Sequence, residues 1–157
     1  SYVRPEHVGI KVAWKDLARG LTAAVLPDVC NVDGHAVPLI PNQTLYSIDA
    51  ASFDEAYALA ALLNSTIADA LLVSVAERAK DAYFRYFGRT VARLPLPEVE
   101  RGGAAWERLV RLARRAQHGI DVMRELDAIV ARQYGVTDSE LATLRTFVAR
   151  RLGRDAR

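Results

Sequence analysis

The sequence predicts an α+β fold: a small mixed or antiparallel sheet packed on a long buried helix, followed by a C-terminal three-helix unit. Three observations predict it. Apolar residues alternate with period two near the start of the chain. Leu59–Val75 is apolar around most of a helical circumference. Everything after Gly102-Gly103 follows helical spacing. The 157 residues, 51% of them hydrophobic, fit one domain or one domain with an appended subdomain. A chain of this length buries roughly 68–70% of its unfolded surface, so it needs no disulfide staples. Its single cysteine, Cys30, has no internal partner and fits a reducing, cytoplasmic setting.

Val8, Ile10, Val12 and Trp14 alternate with Gly9, Lys11 and Ala13, which predicts a strand with one buried face. Leu17, Leu21, Ala24 and Val25 share a side if Asp16–Leu26 is a short helix, ended by Pro27. Asp33-Gly34 between the apolar runs 29–32 and 35–37 predicts a tight hairpin, because both turn residues need positive φ. Pro38 and Pro41 limit its second strand to an edge. Leu45–Ile48 is a further short strand. Ser52-Phe53-Asp54-Glu55 has capping-box spacing and opens the long helix, expected to run to Ala79.

Residues 80–89 are aromatic and basic, with Gly88 as a turn, and Thr90–Leu96 reads as extended until Pro95 and Pro97. Three helices then follow, near 104–118, 121–134 and 138–152, the last behind a second capping box, Thr137-Asp138-Ser139-Glu140. The Gly-Gly pair divides the chain into residues 1–101 and a helical subdomain, 102–157. Trp14 and Trp106 are expected in the core because of their area. Asn64, inside an apolar helix, is expected to tie that helix to a neighbouring strand or loop backbone, since a buried amide is costly unless bonded.

The net charge is +2, unevenly spread. Residues 1–73 carry four Lys/Arg against eight Asp/Glu, residues 74–115 carry ten against five, and residues 116–157 seven against six. A basic middle on a near-neutral chain is the local footprint of a phosphate-contacting surface. The Arg-rich helix of Arg108, Arg111, Arg114 and Arg115 reads as a solvated face. No apolar window approaches the length of a membrane span, and no leader opens the chain, so neither a membrane nor secretion is expected. The chain starts at Ser1 and its only methionine is Met123, which suggests a piece of a larger protein.

No phosphate-binding loop is present, and His7, His35 and His118 are too scattered to hold a metal with one cysteine. No residues point to catalysis within the chain. The informative segment is Lys80–Arg89, which interleaves three cations with four aromatics. Cations neutralise phosphates, and aromatic rings can stack on bases. Phe84 and Phe87, three apart, face one way in a helical turn and read as core. For Lys80, Arg85 and Arg89, a phosphate-binding role and a plain solvated role both stand.

The order Lys11-Val12-Ala13-Trp14-Lys15-Asp16-Leu17-Ala18, Pro41-Asn42-Gln43-Thr44-Leu45-Tyr46, Leu62-Leu63-Asn64-Ser65 and Leu94-Pro95-Leu96-Pro97 resembles the C-terminal specificity domain of TaqI-like adenine-specific DNA methyltransferases. The tail from Leu126 to Leu141 is similar to the helical end of such enzymes, so the resemblance covers most of the chain. It implies a target-recognition domain from a restriction-modification or phage-defence system, acting on double-stranded DNA. The family's Asn-Pro-Pro-Tyr-type loop is absent: Pro41-Asn42 has the wrong order and no tyrosine. S-adenosylmethionine and the methyl-transfer chemistry are therefore expected on an upstream catalytic domain, which flips out the adenine.

In that reading Lys80, Arg85 and Arg89, with Lys15 and Arg19 as secondary candidates, contact phosphates. Asn42, Gln43, Tyr83 and Tyr86 reach base edges. The competing reading is a helical module that docks on a catalytic domain or partner subunit and never touches DNA.

Overall fold

A computed structural model describes residues 8–153; His7 and the flanking termini lie outside the described residues. The fold is α+β. Among the described residues, eight strands, β1 (Lys11–Lys15), β2 (Leu17–Ala18), β3 (Ala23–Leu26), β4 (Val29–Val32), β5 (His35–Pro38), β6 (Leu45–Asp49), β7 (Glu77–Arg78) and β8 (Phe84–Arg85), form three small antiparallel sheets in the orders β3-β1-β6, β2-β8-β7 and β4-β5. The helices are α1 (Phe53–Leu63), α2 (Thr66–Val75), α3 (Gly88–Val91), α4 (Ala104–Gln117), α5 (Met123–Tyr134) and α6 (Asp138–Arg151).

β1 is the central strand, and its burial departs from the expected single face. Val12 and Trp14 are buried on one side, but Lys11 and Ala13 are buried on the other. The Lys11 ammonium donates to the carbonyls of Gly9 and Leu39, which spares it an unpaired burial. Val8 is exposed and lies ahead of the strand.

The expected helix over 16–26 does not form. Its residues make β2 and β3 instead, with Ala23–Leu26 paired to β1 in the register Val12↔Val25. Long-range pairing overrides a short helical period here. The outward N–H groups of Leu21, Ala23 and Val25 are taken by the side chains of Asp69, Asn64 and Gln117. The β4–β5 hairpin forms as predicted: Asp33 and Gly34 hold φ of 50° and 84°, a two-residue turn with both φ positive.

The long helix is broken. α1 ends at Leu63, Asn64 caps it, Ser65 caps α2, and the two axes bend by 64°. Short polar side chains compete for backbone groups and end the helical ladder. Asn64 accepts the Ala23 N–H (2.7 Å) and donates to the Ala23 carbonyl (2.8 Å), the tie expected from the sequence. Ser65 accepts the Ala68 N–H, and Asp127 accepts both the N–H and the hydroxyl of Thr66. Ser52 accepts the Glu55 N–H, but the return arm of that capping box reaches Ala51 rather than Ser52.

Thr90–Leu96 is not a strand. Thr90 and Val91 close the short helix α3, and the run beyond is irregular, because Pro95 and Pro97 cannot donate to a ladder. The three C-terminal helices form close to their expected bounds, and Thr137–Glu140 is a reciprocal capping box. They share the protein's cores: Val148 and Leu152 pack with Trp14, Leu63 and Phe84, while Leu109, Leu126 and Leu141 pack with Leu62 and Ile67. Trp106 is only half-buried, against Val110 and Arg114 at the surface of α4. No single helix among the described residues is long and apolar enough to cross a membrane.

Candidate nucleic-acid interface

The aromatic-basic segment folds as a strand and a turn, not as a helical turn. The strand period of two puts Phe84 and Tyr86 on the buried side, each at 0% exposure, and leaves Arg85 and Phe87 half-exposed on the other. This corrects the pairing of Phe84 with Phe87. It also removes Tyr86 from the base-reading candidates. Its hydroxyl donates to the Arg19 carbonyl (3.1 Å), its N–H to the Asp16 carbonyl (2.7 Å), and its own carbonyl accepts from the Trp14 indole (2.8 Å).

Those bonds join two segments far apart in sequence. β2 pairs with β8 in the register Leu17↔Arg85, so Lys15, Asp16 and Arg19 come beside Tyr83, Arg85 and Phe87. The Asp16 N–H donates to the Thr44 carbonyl (3.0 Å), which brings the 42–44 loop to the same place. Below lies an aromatic ladder: Trp14 stacks on Tyr46 at 6.3 Å, and Tyr46 meets Phe87 edge-on at 6.4 Å. Gly88 packs closely here: a Cβ would stand 3.1 Å from the Tyr46 ring, tighter than an ordinary contact.

Cations rest on the exposed rings. The Arg89 guanidinium sits 4.8 Å from the Phe87 centroid and that of Arg85 5.8 Å from it, while Arg19 lies 5.5 Å from Tyr83. Arg85 is also ion-paired, Nη1 to Asp16 Oδ2 at 3.0 Å. Lys15, Arg19, Lys80 and Arg89 are exposed and make no ion pair among the described residues. Lys80 opens the turn between β7 and β8, where Asp81 and Ala82 both hold positive φ, 57° and 62°. For a residue with a Cβ that conformation costs about 1–2 kcal/mol.

Asn42 and Gln43 are both exposed. Asn42 Oδ1 already accepts from the Thr44 N–H (3.1 Å) and hydroxyl (2.7 Å), so only its amide nitrogen remains to meet a base. Gln43 keeps its whole amide outward, without a partner among the described residues. Tyr83 is exposed, with Arg19 over its ring. The structure thus draws Lys15, Arg19, Tyr83, Arg85, Arg89 and the 42–43 loop together and excludes Tyr86. Two contributors escaped sequence reasoning. Asp16 holds Arg85, and Phe87, read as core, is the platform beneath two arginines. No local pattern signals either: Tyr83–Phe87 carries rings on both faces, and Asp16 reaches Arg85 only through the pairing of β2 with β8.

Among the described residues no group of three or more His, Cys, Asp or Glu is placed to hold a metal ion. A groove of about 440 Å³ beside β3 carries Asn64, Asp69 and Gln117, but Asn64 and Gln117 bond the β3 backbone and Asp69 bonds the Leu21 N–H just ahead of it. That set does not suit S-adenosylmethionine, whose ribose and amino-acid groups need open partners. No family model matches the chain, and no curated protein matches it either.

Proposed function

We propose that this chain is the DNA sequence-recognition part of a site-specific adenine methyltransferase acting in the cytoplasm, within a restriction-modification or phage-defence system. S-adenosylmethionine and the chemistry belong to a catalytic domain outside these residues. The observation that carries the reading is the set of Arg19, Arg85 and Arg89 over the exposed ring of Tyr83 and the half-exposed ring of Phe87, with exposed Lys15 one residue before Asp16 and Lys80 in the adjoining turn. Cations supply phosphate contacts that fix register, and side chains between them read base edges. The enzyme class comes from the order of motifs, which resembles that of TaqI-like specificity domains.

The experiment is a selection from randomised DNA duplexes by the full chain at low ionic strength, followed by salt titration of the winning duplex. A recurrent sequence is expected, bound with an affinity that falls as salt rises. Enrichment of no sequence, together with no salt-dependent binding, overturns the reading.

One observation favours the docking alternative. Ile67, Ala70 and Leu71 of α2, Pro95, and Leu144 and Phe147 of α6 line an apolar groove of about 460 Å³. A partner helix seated there gives a complex that survives high salt and needs no DNA.

A further inference from the structure

We infer that Arg85 is a guanine reader positioned by Asp16, and not one of the phosphate contacts; the inference rests on the DNA-recognition reading above. Asp16 Oδ2 accepts one hydrogen bond from Arg85 Nη1 at 3.0 Å, and the guanidinium leans on the Phe87 ring. Nη1 is thereby committed. Nε and Nη2, the other edge of the planar group, make no hydrogen bond among the described residues, and the side chain is 41% exposed. That edge is a two-donor fork, held at one end by a carboxylate and from one face by a ring.

Charge decides what the fork takes. A phosphate approaching Arg85 meets the Asp16 carboxylate in the same contact, so the pair offers it little net attraction. A guanine edge is neutral and presents two acceptors, O6 and N7, at the spacing of an arginine fork. Asp16 gains little for the fold from this arrangement. Its Oδ1 is buried without a hydrogen-bond partner, a cost a purely structural carboxylate would not carry. Arg89, on the same ring but without a carboxylate, keeps its full charge for the backbone. The two arginines over Phe87 therefore divide the work: Arg85 discriminates and Arg89 anchors.

The test compares R85K, D16N and R89Q in the full chain, each checked for an unchanged circular dichroism spectrum and melting temperature. Each variant is titrated with the selected duplex and with duplexes altered one base pair at a time, at several salt concentrations. R85K keeps the charge but loses the fork. It is expected to lose about tenfold to a hundredfold of discrimination at one G·C pair while its salt dependence stays as in the parent. D16N is expected to bind all duplexes more tightly, with a steeper salt dependence and a weaker preference at that same pair. R89Q is expected to weaken binding alike on every duplex. If R85K retains every base preference, or if R85K and R89Q behave alike, the inference is overturned and the DNA reading stands. If the unaltered chain shows no salt-dependent duplex binding, the DNA reading itself falls.

Discussion

Gln117 donates from Nε2 to the Val25 carbonyl (3.0 Å) and accepts the Val25 N–H at Oε1 (2.8 Å), so a helix side chain takes the place of the strand that β3 lacks. Asn64 does the same at Ala23, two residues earlier, and Asp69 accepts the N–H of Leu21. Alternate residues of a strand present their backbone groups to one edge. Two amides thus close the free edge of β3 in the β3-β1-β6 sheet, and the Asp69 carboxylate holds the N–H of Leu21 just ahead of it. An edge closed this way cannot recruit another chain's strand.

Removing either amide leaves a donor and an acceptor of β3 unpaired. Each unsatisfied buried group costs about 1–3 kcal/mol, against about 0.5–1.5 kcal/mol for an ordinary bond. N64A is expected to lose about 3 kcal/mol and Q117A about 2 kcal/mol. The loss at Asn64 is the larger because Asn64 is half-buried, whereas Gln117 is exposed and water can replace part of its bonding. Urea denaturation with an unchanged m-value measures both. Losses under about 0.5 kcal/mol at both positions would refute the edge-closure account.

The same amides show where sequence reasoning reached and where it stopped. The tie from Asn64 to a neighbouring backbone was legible, because an amide amid Leu62, Leu63 and Ile67 has to be bonded. The break of the helix at that residue was not: Ser65 caps α2 locally, but the Thr66 N–H that opens α2 finds its acceptor only in Asp127, 61 positions away. Leu17, Leu21, Ala24 and Val25 fit a helical period, yet Ala23–Leu26 lies between β1 and borrowed side chains, a placement that no local pattern encodes. Asp33-Gly34 and Thr137–Glu140 were legible because their signals are contained within four residues. At the candidate site the charge and the rings were readable. Their sidedness was not, because it depends on pairing Leu17 with Arg85.

Asp127 is 2% exposed and accepts from the Thr66 N–H and hydroxyl and from Arg145 Nε and Nη2. The two ends of this junction are unequal. Without Asp127 the first N–H of α2 loses its acceptor, and Arg145, 44% exposed, still reaches water. Without Arg145, Asp127 keeps both Thr66 donors. D127A is therefore expected to cost about 3 kcal/mol and R145A about half as much, in denaturant midpoints. The reverse order would show that the ion pair, and not the helix start, dominates.

Burial raises the pKa of Tyr134 above its ordinary 10.0, and its buried hydroxyl has no hydrogen-bond partner. The neutral phenol is the form the fold accepts. Its contribution is fully present below pH 10.0 and is lost as pH rises through the higher folded value. Y134F is expected to remove that alkaline loss and to be neutral or stabilising at pH 7, by up to about 1 kcal/mol, since an unpaired hydroxyl is costly. Glu140 works in the opposite direction. Donors from the Thr137 backbone and hydroxyl lower its pKa below 4.5, so its contribution is present above that value and is lost as pH falls through the folded value. Thermal melts from pH 3 to pH 11 of the parent, Y134F and E140Q separate the two limbs. An alkaline limb that persists in Y134F would contradict the assignment.

Lys80 and Arg89 flank Arg85 along the chain and, like Lys15 and Arg19, make no ion pair among the described residues. Each phosphate contact contributes about 0.9 to the slope of log affinity against log salt on duplex DNA. K80Q with R89Q is therefore expected to flatten that slope by roughly 2, with equal weakening on selected and unselected duplexes. Adding R85Q is expected to flatten it by well under one further unit, because Asp16 already neutralises that charge locally. A slope that drops by a full unit at Arg85 would return it to the phosphate contacts. A slope unmoved by K80Q with R89Q would place the DNA backbone on another surface of the chain, of which the arginine face of α4, with Arg108 and Arg111 exposed, is the next candidate.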